Sequence, residues 1–565
     1  MLTGDAATIR SLSSSALLIC LCSAIYLPGI VALPPIDRDE ARFAQSTKQM
    51  LESGDFVRPR FQSEARYKKP IGIYWLQAGA VTLAGSAHSI WPYRLPSLAG
   101  AILAVLGTLA IGRRLFDPET GLLGAALLAS SPLLAVEATV ATTDAVLLAC
   151  VVGAQGCLAG MHLARCRGER PAASLAAGFW AAQAVGVLVK GPVAPAVSLL
   201  TIGALRLGNA AGADSRGWVG DLRAGPGLLL FAAIVGPWAI AVGLATDWDF
   251  YRAAFAEDVL PKLLGGQESH GAPPGYYLVM SVASFWPGAL PTAPAILAAV
   301  RRRSAPGEGF CLAWLIPTWV FFEIVPTKLP HYVLPTFPAL ALLAAHAVRI
   351  AVPELRSRTA RAVAWVWTAA GLALASVLIA APLLLGATLD PLRCAPAIAT
   401  LLTTVFTARW WCSGNERRAI GCSIIGSGVV LASTLGFLLP GVRSLWVCER
   451  ALDAIAALPS GHRAVTRPLA AVGYREPSLV FLLGGDIELL PPDPAARFLA
   501  AHDDGLVLVS EDQQAAFRAA ATDRSLAMQE VAAFGGWNYS KGRWVRLRVF
   551  GRISPNPGAS GRSPE

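Results

Sequence analysis

The residues of this chain best suited to chemistry stand at the ends of apolar stretches and hardly ever inside them. Asp37-Arg38-Asp39-Glu40-Ala41-Arg42-Phe43 follows directly on the first apolar run, and Tyr67-Lys68-Lys69-Pro70 comes later in the same polar segment. A carboxylate beside lysines at a membrane surface suits a transfer in which the acid takes a proton from an acceptor hydroxyl while cations hold a phosphate leaving group. The plain alternative for the charged run is a solvated helix start. Asp144, in Ala141-Thr142-Thr143-Asp144, opens another apolar run, where an acid also complements a helix dipole without any catalytic part. Lys190-Gly191-Pro192 marks a turn whose lysine can simply snorkel. Lys328-Leu329-Pro330-His331-Tyr332-Val333-Leu334-Pro335 leads into a later run, and His331 alone reads as an interfacial polar residue. Glu268 and His270, just before Pro273-Pro274-Gly275, are weaker candidates for a gate or acceptor contact, with Glu40, Lys68, His331 and Tyr332 in the same group.

The elements that must position these residues are membrane helices. Of 565 residues, 54% are hydrophobic and 15% charged, against about a quarter charged in an average soluble protein. That composition argues against a soluble multidomain enzyme. Apolar runs at 14–33, 95–112, 120–136, 141–164, 173–189, 192–207, 225–245, 276–300, 309–325, 333–351, 362–387, 394–411 and 419–441 give about thirteen spans. The stretch 71–88 is apolar enough to cross, but counting it would reverse every later loop. With 71–88 lying in the interface, Arg113–Arg114, Arg301–Arg303 and Arg417–Arg418 all fall on the cytoplasmic side. The expected topology is then a multi-pass inner-membrane protein with its N-terminus in the cytoplasm and its C-terminal domain in the periplasm. Segments 37–94, the Lys190 turn, 246–275 and the Lys328–His331 loop share the outer face.

Three regions are expected: residues 1–445 as a membrane catalytic domain, with a first outer loop at 37–94 and another at 246–275; 446–553 as a small α/β domain; and 554–565, rich in Pro, Gly and Ser, as a disordered tail. Within the small domain, 479–483 and 505–510 read as buried strands, 493–502 and 511–522 as helices, and 544–550 as an alternating strand. Most of the ten cysteines sit in apolar runs as buried thiols; only Cys394 and Cys448 are placed where a bridge can be considered.

An ion-coupled transporter places charges near the bilayer midplane, whereas here they gather at one rim. Walker loops, HExxH and paired CxxC motifs are missing from the sequence, so ATP-driven and metalloprotease chemistry has no support. No cofactor is called for, and a divalent metal is not supported by the sequence. The near balance of charge in the small domain gives no support to nucleic-acid binding.

At these residues the chain resembles family 39 of the glycosyltransferases, in the bacterial branch that includes the 4-amino-4-deoxy-L-arabinose lipid A transferase. The resemblance rests on Asp39-Glu40-Ala41-Arg42-Phe43-Ala44, Gly54-Asp55-Phe56, Lys69-Pro70-Ile71-Gly72, Arg94-Leu95-Pro96-Ser97, Asp144, Lys190-Gly191-Pro192 and Lys328-Leu329-Pro330. It continues with Gly473-Tyr474, Pro477-Ser478-Leu479, Asn538-Tyr539-Ser540 and Gly542-Arg543, in the same order. It implies a GT-C fold with thirteen helices and an outer soluble domain, and a polyprenyl-phosphate sugar, usually on undecaprenyl phosphate, as donor. By that resemblance Asp39 and Asp144 match the important acids, and Arg42, Lys69 and Lys190 match basic positions for the donor phosphate, with Lys328 a further candidate. Two positions depart from the family: Lys68 stands where close relatives carry Glu before Lys-Pro, and His331 where a small or polar residue is frequent.

The function expected is transfer of a sugar from polyprenyl phosphate to a periplasmic acceptor: lipid A, another envelope glycolipid or a protein hydroxyl. A lipid-linked sugar flippase is the alternative from another class, and an inactive lipid-binding relative is a third.

Overall fold

The computed structural model describes residues 2–208, 218–259, 271–388, 390–458 and 467–553. A polytopic helical body carries a small C-terminal sheet domain, as the sequence predicts. Among the described residues ten helices are long and apolar enough to cross a membrane, and a helix pair bent by 62° makes an eleventh when taken as one span. Two further expected spans fall on a 15-residue helix, Val193–Leu207, and on Tyr276–Ser284 with Trp286–Arg301, which break at Phe285. The expected bridge is corrected, since Cys394 and Cys448 are both free thiols.

The first outer segment is ordered. Helix α1 (Leu2–Ala32) gives way to α2 (Asp39–Ser53), whose first turn carries Asp39 and Glu40 against the helix dipole. A two-strand hairpin, β1 (Arg60–Phe61) with β2 (Glu64–Ala65), follows. Then comes α3 (Gly72–Ala84). Its thirteen residues reach about 20 Å, too short for a core of about 30 Å, which fits an interfacial helix. Gly72 lets α3 lie directly on a neighbouring helix, because a Cβ there would stand 2.7 Å from the Leu188 carbonyl oxygen.

Helix α4 (Trp91–Leu115) is followed by the bent pair α5 (Pro118–Ala129) and α6 (Pro132–Thr139). The bend has a covalent cause. Pro132 supplies no N–H and pushes Ser131 out of the helical region, to ψ 132°. Next, α7 (Asp144–Cys166) and α8 (Ala173–Lys190) are antiparallel neighbours, so the start of one and the end of the other share a rim. The 3-10 turn Pro330–Thr336 enters the helix Phe337–Arg349.

The C-terminal sheet has the order β4-β3-β5-β7-β6. Strand β3 (Leu469–Val472) runs parallel to β4 (Glu488–Leu489) and β5 (Leu506–Ser510). Strand β7 (Arg543–Arg552) pairs antiparallel with β5 and with β6 (Met528–Asn538). The expected strand at 479–483 is instead the helix Pro477–Leu483. A short apolar run does not distinguish helix from buried strand by periodicity, and Pro477 at the first turn favours the helix. The strands β3 and β6, rich in small residues, gave no such pattern. The expected tail, 554–565, lies outside the described residues.

The sheet domain is bolted to the start of α2. The Asp37 N–H donates to the Tyr539 hydroxyl at 2.7 Å, Arg38 Nη2 donates to the Ser540 carbonyl at 2.6 Å, and the Ser478 N–H donates to Asp37 Oδ1 at 3.1 Å. Phe481 also meets Tyr93 edge to face, ring centres 5.6 Å apart.

Candidate active site

The rim formed by α6, α7, α8 and the 330–336 turn gathers charge. Lys190, at the C-terminus of α8, donates to Asp144 Oδ1 at 2.5 Å. Each charge suits its helix end, the acid at an N-terminus and the cation at a C-terminus. His331 stands over the pair, with Nε2 3.9 Å from Asp144 Oδ1 and Nδ1 3.6 Å from Glu137 Oε1. Thr142 Oγ1 donates to Glu137 Oε2 at 3.0 Å, and Thr143 Oγ1 to Asp144 Oδ2 at 3.2 Å. The Lys190 ammonium lies 5.9 Å from the centre of the Tyr332 ring.

Asp39 faces this cluster from α2. It lies within electrostatic range of both Glu137 and His331, as Lys69 does of His331. Its side chain is 71% exposed, with Arg66 Nη2 at 3.8 Å. Arg66 is itself held by Tyr74, to whose hydroxyl its Nε donates at 3.0 Å, and by the Phe43 ring. Asp39, Lys69, Asp144, Lys190, His331 and Tyr332 thus come together from five separate stretches of sequence.

Other sequence candidates lie elsewhere. Glu40 is buried in a clamp: its carboxylate accepts from Arg94 Nε (2.7 Å) and Nη2 (2.9 Å), from the Ile36 N–H (2.8 Å) and from the Ala141 N–H (2.7 Å). It acts on the cluster only by fixing the turn that precedes Asp144. Lys328 caps the helix Pro306–Ile324. Its ammonium donates to the carbonyls of Phe322 (3.2 Å), Glu323 (2.8 Å) and Val325, which uses all three donors of a lysine. Arg42 points to the C-terminal sheet domain and lines a pocket there. Lys68 is exposed. Glu268 and His270 fall outside the described residues.

Glu137 is the group that sequence reasoning missed. It is the only acid in the apolar run Pro132–Thr139, and an ionisable residue in such a run is itself a functional signal. The bend before Pro132 brings it to the rim. Among the described residues no three His, Cys, Asp or Glu converge as a metal-binding set.

Beside the cluster runs an apolar groove of about 1100 Å³. Its walls come from α3, α4, α7 and α8, including Trp75, Leu76, Leu103, Val146 and Val185. Asp144 begins one wall and Lys190 ends another, so the charged rim and the groove share two helices.

A polytopic helical body that carries a small C-terminal sheet domain is a GT-C fold. The comparisons agree. The family described as dolichyl-phosphate-mannose-protein mannosyltransferase matches residues 68–212. The chain is 32% identical over 319 residues to an undecaprenyl phosphate-alpha-4-amino-4-deoxy-L-arabinose arabinosyl transferase of Pseudomonas paraeruginosa, covering 55% of each chain. It is 28% identical over 416 residues to the enzyme of that name from Pectobacterium carotovorum, covering 71% of each. The chain thus spans just over half the length of the first of these relatives. The crystal structure of ArnT from Cupriavidus metallidurans bound to undecaprenyl phosphate has the same fold, with a TM-score of 0.73 and 21% identity over 94% of this chain and 97% of that one. The family resemblance carried by the sequence motifs is therefore borne out, and the GT-C fold extends over nearly the whole chain.

Proposed function

We propose that this protein is an integral-membrane glycosyltransferase that moves a sugar from a polyprenyl phosphate, undecaprenyl phosphate in a bacterial membrane, to lipid A or another envelope glycolipid. The observation that carries this reading is the juxtaposition of the Asp144–Lys190–His331–Glu137 cluster with the apolar groove between α3, α4, α7 and α8. A polyprenyl chain enters such a groove sideways from the bilayer, leaving its phosphate at the charged rim. The names of the curated relatives support the same donor class.

In the transfer, an acceptor oxygen attacks the anomeric carbon, the bond from that carbon to the phosphate oxygen breaks, and polyprenyl phosphate leaves. Lys190 and Lys69 offset the charge that grows on the phosphate. Asp144 holds Lys190 in place. Asp39, exposed at the mouth, takes the acceptor's proton when the acceptor is a hydroxyl, and positions it when the acceptor is an already ionised phosphate. His331 and Glu137 complete the polar wall on the far side. In this reading residues 1–445 form the catalytic membrane domain and 446–553 the periplasmic one. The N-terminus lies in the cytoplasm of a bacterial inner-membrane protein and the charged rim opens to the periplasm, an orientation supported by the arginine clusters at the opposite helix ends.

The test is transfer from a radiolabelled undecaprenyl-phosphate sugar mixture to envelope acceptors, with wild type, Asp39→Asn and Lys190→Ala compared. Wild-type transfer that drops about 10²-fold or more in both variants supports the assignment, and the labelled product identifies the acceptor. Donor binding by wild type without any transfer would overturn it in favour of a flippase or an inactive lipid-binding protein.

A further inference from the structure

A second pocket, of about 510 Å³, lies between α2 and the C-terminal sheet and takes no part in the transfer described above. Five cations line it, Arg42, Arg475, Lys541, Arg543 and Arg546, against three acids. Two of those acids are already engaged. Glu511 pairs with Arg546 at 3.5 Å, and Glu476 accepts from Asn538 Nδ2 at 2.8 Å. Among the described residues the side chains of Arg42, Arg475, Lys541 and Arg543 make no hydrogen bond or ion pair, so Asp512 and Glu476, whose charge the neutral Asn538 amide does not cancel, stand against four cations.

Ser510, the last residue of β5, is an independent sign of a ligand. It is 5% exposed, and among the described residues its Oγ has no hydrogen-bond partner, although a hydroxyl can donate one hydrogen bond and accept two. Gly473 makes room for this oxygen: its φ is +77°, and a Cβ there would lie 1.9 Å from Ser510 Oγ. A buried orphan hydroxyl is costly unless something fills its site.

We propose that this pocket binds the phosphate of a phosphosugar headgroup. Arg475, Arg543, Lys541 and Arg42 would engage the phosphate oxygens, and Ser510 Oγ would donate to one of them. The volume exceeds what a bare phosphate fills, and Trp544, 49% exposed on the pocket wall, offers an apolar face for a sugar ring. Arg42 lies three residues after Asp39 on α2, about 4.5 Å along the helix axis, so a headgroup held here stands next to the reacting rim. Its identity as the acceptor's headgroup rests on the transferase reading; the anion site itself does not.

The test is calorimetric titration of the full-length detergent-solubilised protein with glucosamine 1-phosphate, glucosamine and inorganic phosphate. Glucosamine 1-phosphate is expected to bind at least about tenfold more tightly than either of the others. The variant R475Q/R543Q weakens it by about tenfold or more, and Ser510→Ala by about threefold or more. Stabilisation of the protein by undecaprenyl phosphate stays unchanged in each, which certifies the fold; the exposed Lys541→Gln replaces the double variant if that one misfolds. Equal affinity for glucosamine and its phosphate, no binding of either, or indifference to the charge variants overturns the anion site. Inorganic phosphate binding as tightly as the sugar phosphate overturns the headgroup. Binding as expected in a protein that fails to transfer sugar removes the transferase reading and leaves the pocket.

Discussion

Two groups of buried charge lie a few residues apart in this protein, and they are built on opposite plans. In the Glu40–Arg94 clamp every group is used. Arg94 donates to Glu40 and to the carbonyls of Ile30 (3.0 Å), Leu33 (2.7 Å) and Pro34 (2.9 Å), while the glutamate accepts two backbone N–H groups besides. In the Asp144 cluster the charged groups share one short contact, to Lys190, with threonine hydroxyls on the two acids and separations of 3.6 and 3.9 Å to His331. A saturated set of charges fixes backbone, whereas an unsaturated set has hydrogen-bonding capacity left for a ligand. The clamp pins α1, α2, α4 and the turn before Asp144 into one frame, and the cluster is the part of that frame left open.

Breaking each group separates the two roles. Arg94→Ala leaves the Glu40 carboxylate buried and unpaired, and the expected loss is about 3–5 kcal/mol of stability, read as a fall in thermal unfolding temperature in detergent. Lys190→Ala is expected to cut transfer by about 10²–10³-fold, the equivalent of about 3–4 kcal/mol of transition-state stabilisation, with a smaller shift in unfolding temperature because Asp144 keeps the Thr143 hydroxyl and has His331 at 3.9 Å. If Lys190→Ala unfolds the protein as readily as Arg94→Ala, the distinction between frame and site is lost.

Lys328 sharpens the same contrast, because residue type and motif suggested a phosphate ligand and the fold gives it a cap. Lys328→Met removes donors from three carbonyls at the end of Pro306–Ile324 and is expected to cost about 2–3 kcal/mol of stability, while transfer by the folded fraction stays near wild type. A large loss of transfer at full stability would return Lys328 to the site.

A gentler probe concerns the joint between the two domains. Burial pushes the Asp37 carboxyl up to about 6, helped by the negative charge of Glu476 and opposed by the Ser478 N–H and by Arg42. The folded protein therefore holds this proton more tightly than the unfolded chain, in which the group titrates near 3.8. Stability rises as pH falls from about 7 through 6 toward 4, by about 1–3 kcal/mol from this group, and is lost again as pH rises through 6. Asp37→Asn should flatten that dependence in unfolding scans across this range. The smallest effect belongs to exposed Lys68, whose change to Ala should move stability by less than about 0.5 kcal/mol.

Much of the molecule was legible in order of sequence. Long apolar runs gave the membrane helices, and 71–88, apolar enough to cross, was placed in the interface by the arginine clusters, a reading that the thirteen-residue α3 fits. Asp144 and Lys190 were visible because a charge at the end of an apolar run must face water or a partner. Glu137 was passed over because the Ser-Ser-Pro break that carries it to the rim reads, residue by residue, as one continuous span. Asp39 and Glu40 are neighbours in sequence and were read as one charged patch; on a helix they diverge by about 100°, and the side-chain exposures of 71% and 1% follow.

The sequence by itself determined the helices, the helix-end positions of the charges and the kinship of the motifs, because hydropathy and peptide geometry act over a few turns of chain. Which charges meet was decided only in three dimensions. Asp144 finds Lys190 because α7 and α8 run antiparallel, and Lys69 comes close because Gly72 lets α3 lie on the backbone of α8. Arg42 and Lys328 turn away for the same class of reason: each side chain goes where its own element puts it. Pairing of charges depends on distances between segments remote in sequence, and only the packing of the helices sets those distances.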